Sequence, residues 1–113
     1  MTVARPTASA GRIVVLVMNA GSVPVLSPFF AKCEGVLLLD PAEPSPEFYP
    51  RDRTGVKSIC DIITELKPEY VICGYVGEAE KRRLRASGID VRLGSCSCSV
   101  EELATRVRKL PEA

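Results

Sequence analysis

The stretch from Tyr70 to Cys98, YVICGYVGEAEKRRLRASGIDVRLGSCSC, constrains the fold more than any other part of this chain. Tyr70, Val71, Ile72 and Cys73 form a short apolar, partly β-branched run, the pattern of a strand buried on both faces. Gly74 and Gly77 bracket a turn. From Glu78 to Ser87 charged and small residues fall at helical spacing, Gly88 suits a C′ position that takes positive φ, and Ile89 to Leu93 alternates as a second strand. The result is a βαβ unit. A right-handed crossover makes its two strands parallel, so both carboxyl ends lie on one edge of the sheet. At that edge the chain places Cys73 and the pair Cys96 and Cys98.

The rest of the chain adds strands before this unit and a helix after it. Met1 to Gly11 is small and polar and is expected to be a flexible tail, leaving 12–110 as a single domain, which suits a total of 113 residues. Arg12 to Met18 (RIVVLVM) is a nearly continuous apolar run and predicts a central strand. An irregular connection with Gly21, Pro24 and Pro28 leads to Gly35–Asp40 (GVLLLD), a second strand. The proline-rich segment from Pro41 to Arg53 permits at most a short edge strand near Glu47 to Tyr49, since proline cannot donate to a central ladder. From Thr54 onward Val56, Ile59, Cys60, Ile63 and Leu66 recur at helical spacing until Pro68, so this face should be buried, with Cys60 as a small core residue. Ser99 is an expected N-cap, with Glu101 and Glu102 in the first turn and Val100, Leu103, Ala104, Val107 and Leu110 as an apolar stripe closed by Pro111. The order βββαβαβα predicts an α/β fold, a five-stranded mixed sheet flanked by helices in a ribonuclease H-like arrangement.

Histidine is absent, which removes Ser-His-Asp, Cys-His and histidine-metal chemistry together. The net charge of +1 provides no global field for nucleic acid or a membrane surface, and the basic cluster Lys81 to Arg85 is expected to be a solvated helix face. No apolar run approaches the length needed to span a bilayer and Met1 to Ala10 lacks the centre of a signal peptide, so a cytoplasmic location is expected. Five cysteines, an odd number, fit reduced thiols better than a closed disulfide framework.

The expected topology makes one rim of the sheet chemically interesting. Cys33 precedes the second strand, Cys73 ends a parallel strand, and Cys96 and Cys98 follow the last one, so these four are expected to face the rim where open α/β sheets bind ligands. Thiolates there would suit zinc, copper(I) or an iron–sulfur cluster. The SCSCS segment has two readings, a ligand pair whose side chains point the same way or small loop residues among serines, and both stay open. The Gly74 to Gly77 turn before a helix offers backbone N–H groups to an anion, or simply the tight turn that a strand-to-helix junction needs. Nuclease chemistry would need carboxylates converging on two metal ions, whereas the two central strands end in Met18-Asn19 and Cys73.

Gly74 to Val91 (GYVGEAEKRRLRASGIDV), Ser27 to Asp40 (SPFFAKCEGVLLLD) and the Gly55 region before the first helix together resemble the dinitrogenase iron-molybdenum cofactor accessory proteins, small ribonuclease H-like domains. The resemblance implies a non-enzymatic carrier of an iron–sulfur cluster or iron-molybdenum cofactor precursor, with a metallocluster donor or acceptor protein as partner, as a monomer or weak homodimer. It also implies a cofactor-binding role for Phe30, Lys32, Gly74 and Gly77, which match the family pattern. Phe29 stands where the family has histidine and Ala31 where it has glycine. Cys33, Cys73, Cys96 and Cys98 are metal-ligand candidates from topology alone. The alternative is a divergent interaction or regulatory module that keeps the fold without the cofactor.

Overall fold

A computed structural model describes residues 11–18, 21–43, 45–95 and 97–113. The sheet is built outward from β1 (Ile13–Met18), whose Val14 to Val17 are fully buried because strands cover both of its sides and helices both of its faces. β3 (Gly35–Leu39) lies antiparallel to it, in register from Ile13↔Leu39 to Val17↔Gly35. On the other side β5 (Tyr70–Cys73) runs parallel to β1, and β6 (Asp90–Leu93) runs parallel to β5. With β4 (Glu47–Pro50) outside β3, the order is β4-β3-β1-β5-β6, the expected mixed sheet. One strand was not expected. β2 (Val25–Leu26) pairs with the end of β1 as Val17↔Leu26 and Met18↔Val25, on the β5 side. The pairing of β5 with β1 stops at Ile72↔Val15, and the chain returns to satisfy the β1 backbone left open beyond it.

Side chains alternate between two cores, as the period of a strand demands. Val14, Leu16, Val36, Leu38, Val71 and Val91 pack on the face covered by α1 (Ile59–Leu66) and α2 (Glu78–Ala86), where Ile59, Ile63 and Leu84 meet them. Val15, Val17, Leu37 and Ile72 pack on the opposite face against Val100 and Leu103 of α3 (Val100–Thr105) and Val107 of the short 3-10 helix that follows.

The helix ends follow from local chemistry. The first helix begins at Ile59 and not near Thr54, and Val56 is 80% exposed instead of lying on the buried face. Asp52 accounts for the difference: its carboxylate accepts from the N–H groups of Thr54 and Lys57 at 2.9 Å each, holding 52–57 in a turn. Ser58 then starts the helix with a reciprocal cap, its Oγ accepting from Asp61 N at 3.1 Å while its own N–H donates to Asp61 Oδ2 at 2.8 Å. Ser99 and Glu102 cap α3 in the same way. On α2 only Leu84 is buried, so the basic cluster is a solvated face as expected.

The two sheet edges differ. Along β6, Leu93 N donates to Pro111 O at 2.8 Å and Ala113 N to Val91 O at 3.0 Å, so the chain beyond Leu110 lies on that edge. β4 is the outer strand on the other side, paired with β3 from Gly35↔Pro50 to Leu38↔Glu47 and extended by the Arg51 N to Glu34 O bond of 3.0 Å. Of the tail expected over 1–11, residues 1–10 lie outside the described residues, and Gly11 N donates to Glu69 Oε1 at 2.8 Å. Among the described residues no helix is long and apolar enough to cross a membrane.

Candidate binding rim

The carboxyl ends of β1 and β5 are joined into one rim by backbone hydrogen bonds. Ser27 is fully buried, with its N–H on Leu16 O at 2.8 Å and its hydroxyl donating to Phe29 O at 2.8 Å. Tyr75 N donates to Pro28 O at 2.8 Å and Phe30 N to Tyr75 O at 2.9 Å, which makes Phe29 and Tyr75 a parallel bridge pair. Gly74 permits this approach: a Cβ there would lie 2.6 Å from Pro28 O and 2.8 Å from its Cα. The glycine therefore answers a backbone contact and not a positive φ.

Bridge partners carry their side chains on the same side of a sheet, which sets Phe29 and Tyr75 beside each other at 50% and 65% exposure. Lys32, on the 3-10 helix Phe30–Lys32, places Nζ 5.8 Å from the Phe29 ring centre. These three, with buried Phe30, Gly77 and Glu80, line a depression of about 320 Å³. Phe30 and Glu80 also line a second hollow of about 380 Å³, which runs between the starts of α1 and α2 to Arg51, Ser58 and Arg83. Arg83 is held there by Asp61 and by Ser58 Oγ at 3.3 Å. Gly77 is the N-cap of α2, and a Cβ at this position would collide with Glu80 Oε1, so the helix start already has the chain's own carboxylates against it.

The thiols do not gather at this rim. Cys33, 2% exposed, is turned into the α1 and α2 side of the core, where Arg51 Nε donates to its carbonyl at 2.9 Å and Nη2 lies 3.7 Å from Sγ. Burial pushes this thiol up, with Arg51 opposing. Cys73 is fully buried in the same core, its thiol 3.7 Å from Arg92 O and pushed up to about 12 by burial. Cys60 is buried on α1 as expected, and burial raises it too. Cys98 is half-buried against the opposite core, while Cys96 lies outside the described residues. Among the described residues no three cysteine or acidic side chains are placed to hold a metal ion. The expectation that Cys33, Cys73 and Cys98 converge is thus corrected, because Cys73 keeps the phase of Val71 and faces the helices, whereas Cys98 packs on the other side. Among the described residues Cys33 and Cys73 lie in one core and Cys98 against the other, so these three thiols do not form a shared donor set for a cluster.

This arrangement sets a reactivity order. Native protein treated with iodoacetamide at pH 8 should be labelled at Cys98 and protected at Cys33, Cys60 and Cys73, all of which should react after unfolding in guanidinium. With its thiol at about 12, Cys73 is thiolate in only about one molecule in ten thousand at that pH. Peptide mass mapping reads the result, and labelling of native Cys73 at the rate of Cys98 would contradict the burial.

Of the other expected site residues, Phe30, Lys32 and Gly77 line the depression, while Gly74 lies against the Pro28 backbone next to Tyr75. Arg51, Tyr75, Glu80 and Arg83 were not foreseen as part of the site. Tyr75 lies between Gly74 and Gly77 in a segment that the sequence marks only as a turn, and Arg51 reaches the rim only through the pairing of β4 with β3.

No protein-family model and no curated protein matches the chain. Solved structures do. The apo form of the orange protein from Desulfovibrio gigas aligns with a TM-score of 0.77 at 22% identity, over 91% of this chain and 92% of that one. A Thermotoga protein described as a candidate NifB protein of the DUF35 family aligns at 0.70 and 19% identity, over 89% and 91%. A Methanocaldococcus jannaschii protein described as a candidate dinitrogenase aligns at 0.68 and 15%, over 90% and 93%. The fold is theirs. At such identities the likeness concerns architecture, and function has to be argued from the rim.

Proposed function

We propose that the protein is a non-enzymatic binding module of a metallocluster pathway that works by contact with a protein partner at the rim. The observation that carries this reading is Phe29. It stands where the resembled family has histidine, and it is half exposed beside Tyr75, while Cys33 and Cys73 are buried. Exposed aromatic side chains are frequent anchors of protein contacts, and the described thiols lie apart in the two cores instead of sharing a site. The link to a metallocluster pathway comes from the resemblance and from fold neighbours described as NifB-like and dinitrogenase-like. A cytoplasmic site of action accompanies this reading.

A second reading, a carrier that holds an iron–sulfur species or iron-molybdenum cofactor precursor, is favoured by the neighbour described as an apo form, a word that implies a form with a bound group. Anaerobic reconstitution with iron and sulfide separates the two. Metal analysis and absorption spectra should show less than stoichiometric iron on the desalted protein. Stoichiometric loading that is lost in the Cys96→Ser/Cys98→Ser variant would establish the carrier instead.

A further inference from the structure

Residues 111–113 form a short antiparallel strap on the side of β6 away from β5. The bridge Arg92↔Glu112 sets Leu93 opposite Pro111 and Val91 opposite Ala113. Leu93 N donates to Pro111 O at 2.8 Å and Ala113 N to Val91 O at 3.0 Å, while Arg85 Nη2 donates to Ala113 O at 2.7 Å. Residues opposed in this way normally exchange two bonds. Pro111 has no N–H to return to Leu93 O, so the strap cannot supply the donor for which that carbonyl is aligned. The strap's further hold on the edge is slight. Glu112 lies 3.8 Å from Arg85 with the two side chains 66% and 47% exposed, a setting in which ion pairs contribute little. The chain just before it is fastened separately, by Arg92 Nη1 on the carbonyls of Arg108 and Leu110 at 3.1 and 2.8 Å.

We infer that the β6 edge accepts an extended segment of a partner protein as an added strand, and that residues 111–113 hold the edge as an exchangeable placeholder hinged at Leu110. This surface is separate from the rim of Phe29 and Tyr75, so neither inference stands on the other. The strap itself shows the chemistry the edge takes. Its main chain is extended, Ala113 places a small apolar side chain against the core that contains Val91, and Glu112 places a carboxylate within ion-pair distance of Arg85. A partner segment with a residue other than proline in the place of Pro111 gains the bond to Leu93 O that the strap lacks. That bond is the advantage with which a segment from outside offsets the tethering of the one already in place.

Titration of the full chain with two peptides, followed in amide NMR spectra, tests this. One peptide has the sequence of residues 109–113 with Pro111→Val, capped at both ends. The other is identical except that the valine is N-methylated, which removes its N–H. The first peptide should shift the amides of Val91, Leu93 and Ala113, with a Kd in the low millimolar range. The N-methyl peptide should bind about fivefold more weakly, the effect of one hydrogen bond. In Ala113→Pro, which deletes the strap's donor to Val91 O, the first peptide should bind about fivefold more tightly, an outcome that a strap serving only to guard the edge would not produce. Equal affinity for the two peptides, shifts confined to Phe29 and Tyr75, or no shift at β6 in either the native chain or Ala113→Pro would overturn the inference. None of these outcomes would remove the reading of the rim, which the reconstitution experiment tests separately.

Discussion

Raising the pH from 9 toward 12 should cost this protein about 1.4 kcal/mol per pH unit through Cys73 alone. Burial lifts that thiol from 9.0 to about 12, because a thiolate has no favourable surroundings in the apolar core and only the neutral form is accommodated. In the unfolded chain the same thiol ionises near its ordinary value. Its coupling to folding is thus silent below pH 9, and stability is lost as the pH climbs from 9 to the folded value. Over the whole window the loss is about 4 kcal/mol, a large share of the 5–15 kcal/mol typical of small domains. Cys33 and Cys60, raised in the same direction, add to it. Urea unfolding at pH 8, 9.5 and 11 measures the slope, and Cys73→Ala should flatten it. An equal alkaline loss in Cys73→Ala would show that the thiol is not the group responsible.

Gly74→Ala should destabilise the fold by about 3 kcal/mol, the upper end of what overpacking usually costs. The added methyl would meet the carbonyl and Cα of Pro28 at 2.6 and 2.8 Å, and these are backbone atoms held by the Tyr75 N to Pro28 O bond. Neither side can yield without breaking the rim ladder, so Phe29 and Tyr75 should lose their alignment together with the stability. Calorimetry should show a drop of about 10 °C. Gly21→Ala is the control, since nothing lies within 4 Å of a Cβ there. If the two variants unfold at the same temperature, the close approach at Gly74 has no energetic weight.

Much of the architecture was legible because periodicity and punctuation agree. Val71 to Cys73 could only be a strand, Gly88 (φ +80°) ends α2 as predicted, and Ser99 caps α3 in the predicted place. The start of α1 was misplaced because Val56 fits the helical spacing by coincidence, while the capture of Thr54 and Lys57 by Asp52 is a turn that spacing does not register. β2 was hidden for a different reason: two residues pair there because β1 extends past the pairing of β5, a consequence of strand lengths and not of local composition. The site was harder to read than the fold. Topology placed the backbones of Cys33 and Cys73 near the rim, but side-chain phase turned both thiols inward. Phe29 was visible as a departure from the resembled family, whereas its backbone bridge to Tyr75, which puts both residues at one exposed rim, follows from tertiary structure that no local pattern records.

The register of β4 has a consequence for how the molecule meets copies of itself. The Arg51 N to Glu34 O bond and the Gly35↔Pro50 pairing set the phase, so residues 47, 49 and 51 direct their backbone groups toward β3. Pro46, Phe48 and Pro50 are the positions that look outward. Two of those three lack an N–H, so a strand approaching from another chain finds one donor, that of Phe48. On the opposite edge Leu93 and Val91 already exchange backbone hydrogen bonds with residues 111–113, so an incoming strand would find part of one edge taken and the other poor in donors.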